Sequence, residues 1–149
     1  MNAEAQLDTF MARYNPGVAS DARSALTFLQ SRLPTAFRLV YDNYNALVVG
    51  FASGEKASDA FLSIALYPQY VRLFFLRGVD LSDPDCLLEG EGSQVRSIKL
   101  KPASRIESPE VRALIDAALA IASPPIPPGG DGPLIIKSIS AKQRPRRPA

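Results

Sequence analysis

Residues 61–78, FLSIALYPQYVRLFFLRG, hold two apolar runs parted by Pro68-Gln69, and a β-hairpin is the structure that accommodates them. Both runs are rich in β-branched and aromatic residues, alternate in character, and are too short for helices. Setting Leu66 opposite Val71 brings Ile64 to Leu73 and Leu62 to Phe75, so one face is wholly apolar and belongs on the core. The other face then pairs Tyr67 with Tyr70, Ala65 with Arg72, Ser63 with Phe74, and Phe61 with Leu76. Pro68 holds φ at about −65°, which excludes the primed two-residue turns and favours a four-residue loop, Tyr67 to Tyr70, around a type I turn. A three-residue loop would oppose Arg72 to Leu66 and mix the faces.

The flanking chain supplies the rest of a layered domain. Leu7, Phe10, Met11 and Tyr14 recur at helical spacing and predict a helix over roughly Ala3 to Tyr14. Asn15-Pro16 reads as the cap and first residue of a second helix, whose stripe runs from Val18 through Ala22, Ala25 and Leu29 to Leu33 before Pro34. Phe37–Tyr41 and Leu47–Ser53 predict a hairpin closed by Asp42-Asn43-Tyr44-Asn45, and Val95–Leu100 a further strand. Between Val79 and Ser93, Asp83-Pro84 can open one helical turn that buries Leu87 and Leu88 and ends at Gly90. Ser108-Pro109-Glu110 starts a last helix with Val111, Leu114, Ile115, Ala118, Leu119 and Ala122 inward.

An α+β domain follows, with an antiparallel sheet of about five strands packed against N- and C-terminal helices. It is expected to span residues 1–122, with a Pro/Gly linker at 123–133 and an apolar strand with a basic tail at 134–149. Leaving Leu134-Ile135-Ile136-Lys137-Ser138-Ile139 in water would forfeit several kcal/mol at about 25 cal/mol per Å² of apolar surface, so this strand must dock. Docking on its own sheet covers an open edge, whereas exchange between two copies makes a homodimer, which is the expectation here. The tail AKQRPRRPA, broken by prolines, is expected to be disordered unless bound.

Composition narrows the function. The 149 residues include one cysteine and no histidine, so an imidazole base near neutral pH and a conventional zinc site are both closed, and an enzyme is not expected. No apolar run approaches the roughly 18 residues of a membrane span, and no basic segment precedes an apolar one at the N-terminus. A bacterial, cytoplasmic protein is the expectation. The net charge is +2, but Lys137, Lys142, Arg144, Arg146 and Arg147 are five of the 17 bases. The 12 that remain face 15 acids, which leaves residues 1–136 at −3.

Four collinear blocks, YDNYNALVVGF (41–51), SIALYPQYVRLFFLRG (63–78), LLEGEGSQVRSIKL (87–100) and LIIKSISAKQRPRR (134–147), resemble the YdhG-like domain family, a bacterial group of unknown function. Some members are labelled frataxin-like iron chaperones. The resemblance implies an antiparallel sheet packed on terminal helices and an acidic surface that holds iron.

Three candidate sites emerge. Arg72 among Tyr67, Tyr70 and Phe74 offers a planar fork beside aromatic walls to a carboxylate or phosphate, or is an arginine lying along rings on a sheet face. Asp80, Asp83, Asp85, Glu89 and Glu91 form an acidic run of hard oxygen ligands, or solvated loop charge. Lys142, Arg144, Arg146 and Arg147 form a basic end suited to nucleic acid. Cys86 beside two leucines reads as a small buried hydrophobe. A non-enzymatic module that binds a small ligand or a protein is the first reading. An intracellular metal carrier using the acidic run is the second, with iron as its cargo and no other cofactor. Weak nucleic-acid association through the tail is the third.

Overall fold

The structure, a computed structural model, describes residues 1–148; Ala149, the last residue of the expected basic tail, lies outside the described residues. Helices α1 (Ala3–Met11) and α2 (Pro16–Arg32) precede strands β1 (Phe37–Asp42), β2 (Leu47–Ala52), β3 (Ala60–Leu66), β4 (Val71–Phe75) and β5 (Arg96–Lys99). Helix α3 (Pro109–Ile121) and strand β6 (Leu134–Ile139) follow. The strands form one sheet in the order β5-β4-β3-β2-β1-β6, antiparallel throughout except for the parallel β1–β6 pair. The α+β architecture is as expected.

The central hairpin takes the register its side chains require. Leu62 pairs with Phe75, Ile64 with Leu73 and Leu66 with Val71. The Tyr67 N–H donates to the Tyr70 carbonyl at 2.9 Å and closes the four-residue loop. That apolar face, extended by Leu47, Val49 and Phe51 of β2, shares one core with Leu7 and Met11 of α1, Ala22, Ala25 and Leu29 of α2, and Val111, Leu114 and Ile115 of α3. The helix starts follow capping chemistry. Asn2 Oδ1 accepts from the Ala5 N–H at 2.8 Å and Ser108 Oγ from the Val111 N–H at 3.3 Å.

Several local readings are corrected. Helix α1 stops at Met11 and not at Tyr14, because Asn15 is held extended ahead of Pro16 and the chain must turn first. Asn15 stands at the cap position of α2, but its side chain caps nothing. Residues 83–86 form a turn and no helix. The Asp83 carboxylate takes the Leu87 and Leu88 amides, each at 2.9 Å, amides that a helix would have turned elsewhere. Cys86 is exposed, at φ 54°, so it is not the buried hydrophobe expected.

Strand β6 lies on β1 of its own chain, covering that edge in cis. The linker that delivers it, residues 123–133, contains no helix or strand. Its end is fitted closely. Gly132 has φ +60°, and a β-carbon there would meet the carbonyl oxygens of Pro34 and Ala36, each at 2.6 Å. Arg38 Nε and Nη2 donate to the Gly132 carbonyl at 3.2 and 3.1 Å. Gly132→Ala is therefore expected to cost about 1–3 kcal/mol through clash and backbone strain. Gly129→Ala, where nothing lies within 4 Å, should stay within about 0.5 kcal/mol of the parent. Urea denaturation of the two variants checks this, and equal stabilities would contradict it.

Candidate functional site

Alternation along β1 carries Arg38, Val40 and Asp42 toward the helices, and at Asp42 it brings a carboxylate to the end of the core, only 1% exposed. A buried carboxylate persists only if it is paired. Two guanidinium groups meet it from distant parts of the chain. Arg13, just past α1, contacts Oδ2, and Arg146, in the tail, donates to Oδ1 at 2.9 Å. Arg146 Nη2 also donates to the Asn43 carbonyl at 2.6 Å, and its guanidinium carbon lies 5.7 Å from the centre of the Tyr14 ring. Its Nε is buried with no partner among the described residues.

Tyr14 anchors the same corner. Its hydroxyl donates to the Leu66 carbonyl at 3.0 Å and accepts from the Leu47 N–H at 3.1 Å, joining the start of β2 to the end of β3. Burial pushes the phenol above its usual range, against an opposing pull from the Arg146 charge. A pKa raised by folding contributes stability that is full below about pH 10 and is lost as the pH rises through the folded value. Tyr14→Phe leaves a buried N–H and a carbonyl without a partner, an expected loss of about 1–3 kcal/mol at neutral pH. The variant should also lose less stability on going to alkaline pH than the parent does. Denaturant titrations at neutral pH and at about pH 10 check both, and equal alkaline losses would contradict the assignment.

The tail is thus ordered, contrary to expectation. Backbone bonds continue the attachment: Ser140 N–H to the Asp42 carbonyl and Arg144 N–H to the Tyr44 carbonyl, each 2.9 Å. Gln143 donates to the Asp42 carbonyl at 2.9 Å and accepts from Arg13 Nη1 at 2.7 Å. Arg147 Nε donates to the Arg13 carbonyl at 3.1 Å. The expectation of disorder fails because Arg146 is the counter-charge of a buried acid, which outweighs the entropy of ordering a short segment already stiffened by Pro145 and Pro148. Asp42→Asn should remove protection from the Arg144 amide in hydrogen exchange while amides of β3 and β4 stay protected. Unchanged protection at Arg144 would show that the tail is held by other contacts.

The three sets of residues named from sequence are placed as follows. Arg72 and Phe74 share a face of β4, but the Arg72 fork is engaged, with Nε on Ser97 Oγ at 3.1 Å and Nη2 on Glu89 Oε1 at 2.9 Å. Glu89 thus leaves the acidic run to pair with an arginine assigned to another site. Asp80 pairs with Arg77, and Asp83 caps amides with both oxygens. Asp85 and Glu91 remain on the exposed loop. Among the described residues no three His, Cys, Asp or Glu side chains come together as metal ligands. Tyr67 and Tyr70 stack with centroids 5.1 Å apart, and Lys99 Nζ lies 4.6 Å from the Tyr70 ring centre. Burial, then the neighbouring Tyr70, push the Tyr67 phenol up, with Arg72 opposing.

The tyrosine pair and the tail lie at one end of the sheet. The β1–β2 loop, the β3–β4 loop, the end of β5 and the end of β6 all emerge there. The segments at that end carry Arg13, Lys99, Lys101, Arg105, Lys142, Arg144, Arg146 and Arg147, and their acids are Asp42 and Glu107. The loop after β2 and the chain between β4 and β5 hold Glu55, Asp59, Asp80, Asp83, Asp85, Glu89 and Glu91; of these, Asp83 and Asp85 lie along α3 and Glu89 lies on the β5 edge against Arg72. A cleft of about 490 Å³ opens at the basic end, lined by Asn45, Tyr67, Pro68, Arg144, Pro145 and Arg147. Sequence reasoning missed Asp42, Arg13, Tyr14 and Lys99. The signal for Asp42 was present, since the alternation of β1 puts it on the core face, where an acid requires a partner. No helix of the described residues is long and apolar enough to cross a membrane. Comparison with known proteins finds no matching family model, no matching curated protein and no matching solved structure.

Proposed function

We propose that this protein is a non-enzymatic binding module whose partner is an anionic macromolecule, taken on the basic end of the sheet. The observation that carries the reading is the concentration of eight basic residues there against two acids, Glu107 and Asp42, of which Asp42 is shared by Arg13 and Arg146. The bases are also held in position. Arg146 anchors the tail, so that Arg144 and Arg147 project from a fixed backbone, which lowers the ordering cost of binding. The acidic loops at the other end repel the same partner and orient its approach. The chain has no histidine to act as a general base near neutral pH, which accords with binding rather than catalysis.

The double variant Arg144→Glu/Arg147→Glu should abolish retention on heparin at about 50 mM salt and flatten the dependence of affinity on salt. A control with the same charge change at the opposite end of the sheet, Lys56→Glu/Arg96→Glu, should elute close to the parent. Equal losses in both doubles would mean that net charge and not this surface governs the binding. Thermal melts of both confirm that the fold is retained.

A further inference from the structure

We infer that the anionic partner is single-stranded nucleic acid, with bases stacked on the tyrosines and arginines of the basic end. This rests on that end being the working surface. Charge alone would suit any polyanion. The bases here are interleaved with rings: Arg144 lies over Tyr44, with its guanidinium carbon 5.6 Å from the ring centre, and Lys99 over Tyr70, beside the Tyr67–Tyr70 stack. Tyr44 is 48% exposed although it sits in a loop where a small polar residue would serve the turn equally well. Flat π surfaces next to cations are what an unstacked base uses, whereas an acidic peptide would leave them idle.

The cleft adds shape to this chemistry. At about 490 Å³ it falls within the range of pockets that enclose small ligands, about 300–1,000 Å³. Tyr67 and Pro68 line it together with Arg144 and Arg147, and Asn45 brings an amide that can both donate to and accept from a base edge. A base entering between them would place its own phosphate against guanidinium groups. A duplex is poorly served. The elements at this end are short loops and a proline-broken tail, and the β1–β2 and β3–β4 ribbons behind them are fixed side by side in the six-stranded sheet, so that neither stands free to enter a major groove. Duplex bases are also already stacked on one another and cannot reach the rings.

Fluorescence anisotropy with a labelled oligothymidylate of about 15 nucleotides, run at about 50 mM salt, tests the inference. The competitors are an abasic strand of equal phosphate number, a duplex of equal length, heparin and polyglutamate. The expected result is that the oligothymidylate binds at least about ten-fold more tightly than the abasic strand or the duplex. Tyr44→Ala should bring a loss of about five- to hundred-fold, and Tyr44→Phe, which keeps the ring, little or none. An abasic strand or duplex bound as tightly as the oligothymidylate overturns the inference, as does a Tyr44→Ala variant that binds like Tyr44→Phe. In either case, binding that Arg144→Glu/Arg147→Glu still removes leaves the broader reading of an anion-binding surface standing. Heparin or polyglutamate bound in preference to the oligonucleotide also overturns it in favour of another polyanion, and failure of every polyanion to bind overturns both.

Discussion

One carboxylate ties together parts of this chain that lie far apart in sequence. Asp42 is buried at the end of β1, and Arg13 and Arg146 converge on it from the turn after α1 and from the tail. An unpaired buried charge is costly, and breaking such a pair from one side costs about 3–5 kcal/mol. Releasing the tail would leave Arg13 as the one guanidinium on Asp42 and Oδ1 without the Arg146 hydrogen bond, so the fold cannot let the tail go without cost. Two guanidinium groups share one acid, so the corner keeps a positive excess while remaining internally paired.

The direction of β6 decides where that tail goes. Because β6 runs parallel to β1, both strands finish at the same end of the sheet, and a residue just past β6 can reach the carboxylate that closes β1. The ladder shifts by one residue after Val40, which leaves Lys137 as the extra residue, with its ammonium on the Glu55 carbonyl at 2.9 Å. The shift sets Ile139 against Asp42 and allows Ser140 to bond the Asp42 backbone. An antiparallel β6 would have sent the same tail to the acidic loops. A parallel addition requires the chain to return along the whole length of the strands, which the unstructured linker and the tight seat of Gly132 make possible.

Charge segregation then follows from strand connectivity. Hairpin loops of one kind, those after odd-numbered strands β1 and β3, carry tyrosines and asparagines with no acid after Asp42. The loops after β2 and β4 carry seven of the 15 acids. Each loop alone is unremarkable in composition. Collected by the sheet into two ends, they give the molecule opposed faces, and a partner that responds to charge meets them differently. The arginine first suspected of a binding role, Arg72, lies opposite Lys99 near the basic end, but its fork is consumed by Ser97 and Glu89.

What could be read from the amino acids alone was local periodicity. The alternation in residues 62–75 specified the hairpin register, because a slip of one residue would turn every apolar side chain to the wrong face. The stripes of α2 and α3, the break at Pro34 and the proline-glycine linker followed from equally local rules. The requirement that Leu134–Ile139 dock followed from its hydrophobicity, but neither its partner strand nor its direction did. The candidate site was legible in fragments: the basic tail and the tyrosines were visible, their common location was not. Arg146 and Asp42 are 104 residues apart, and no spacing rule connects them. Only the tertiary structure decides that contact, because it depends on the order and direction of strands, and those depend on how all the apolar faces can be buried at once.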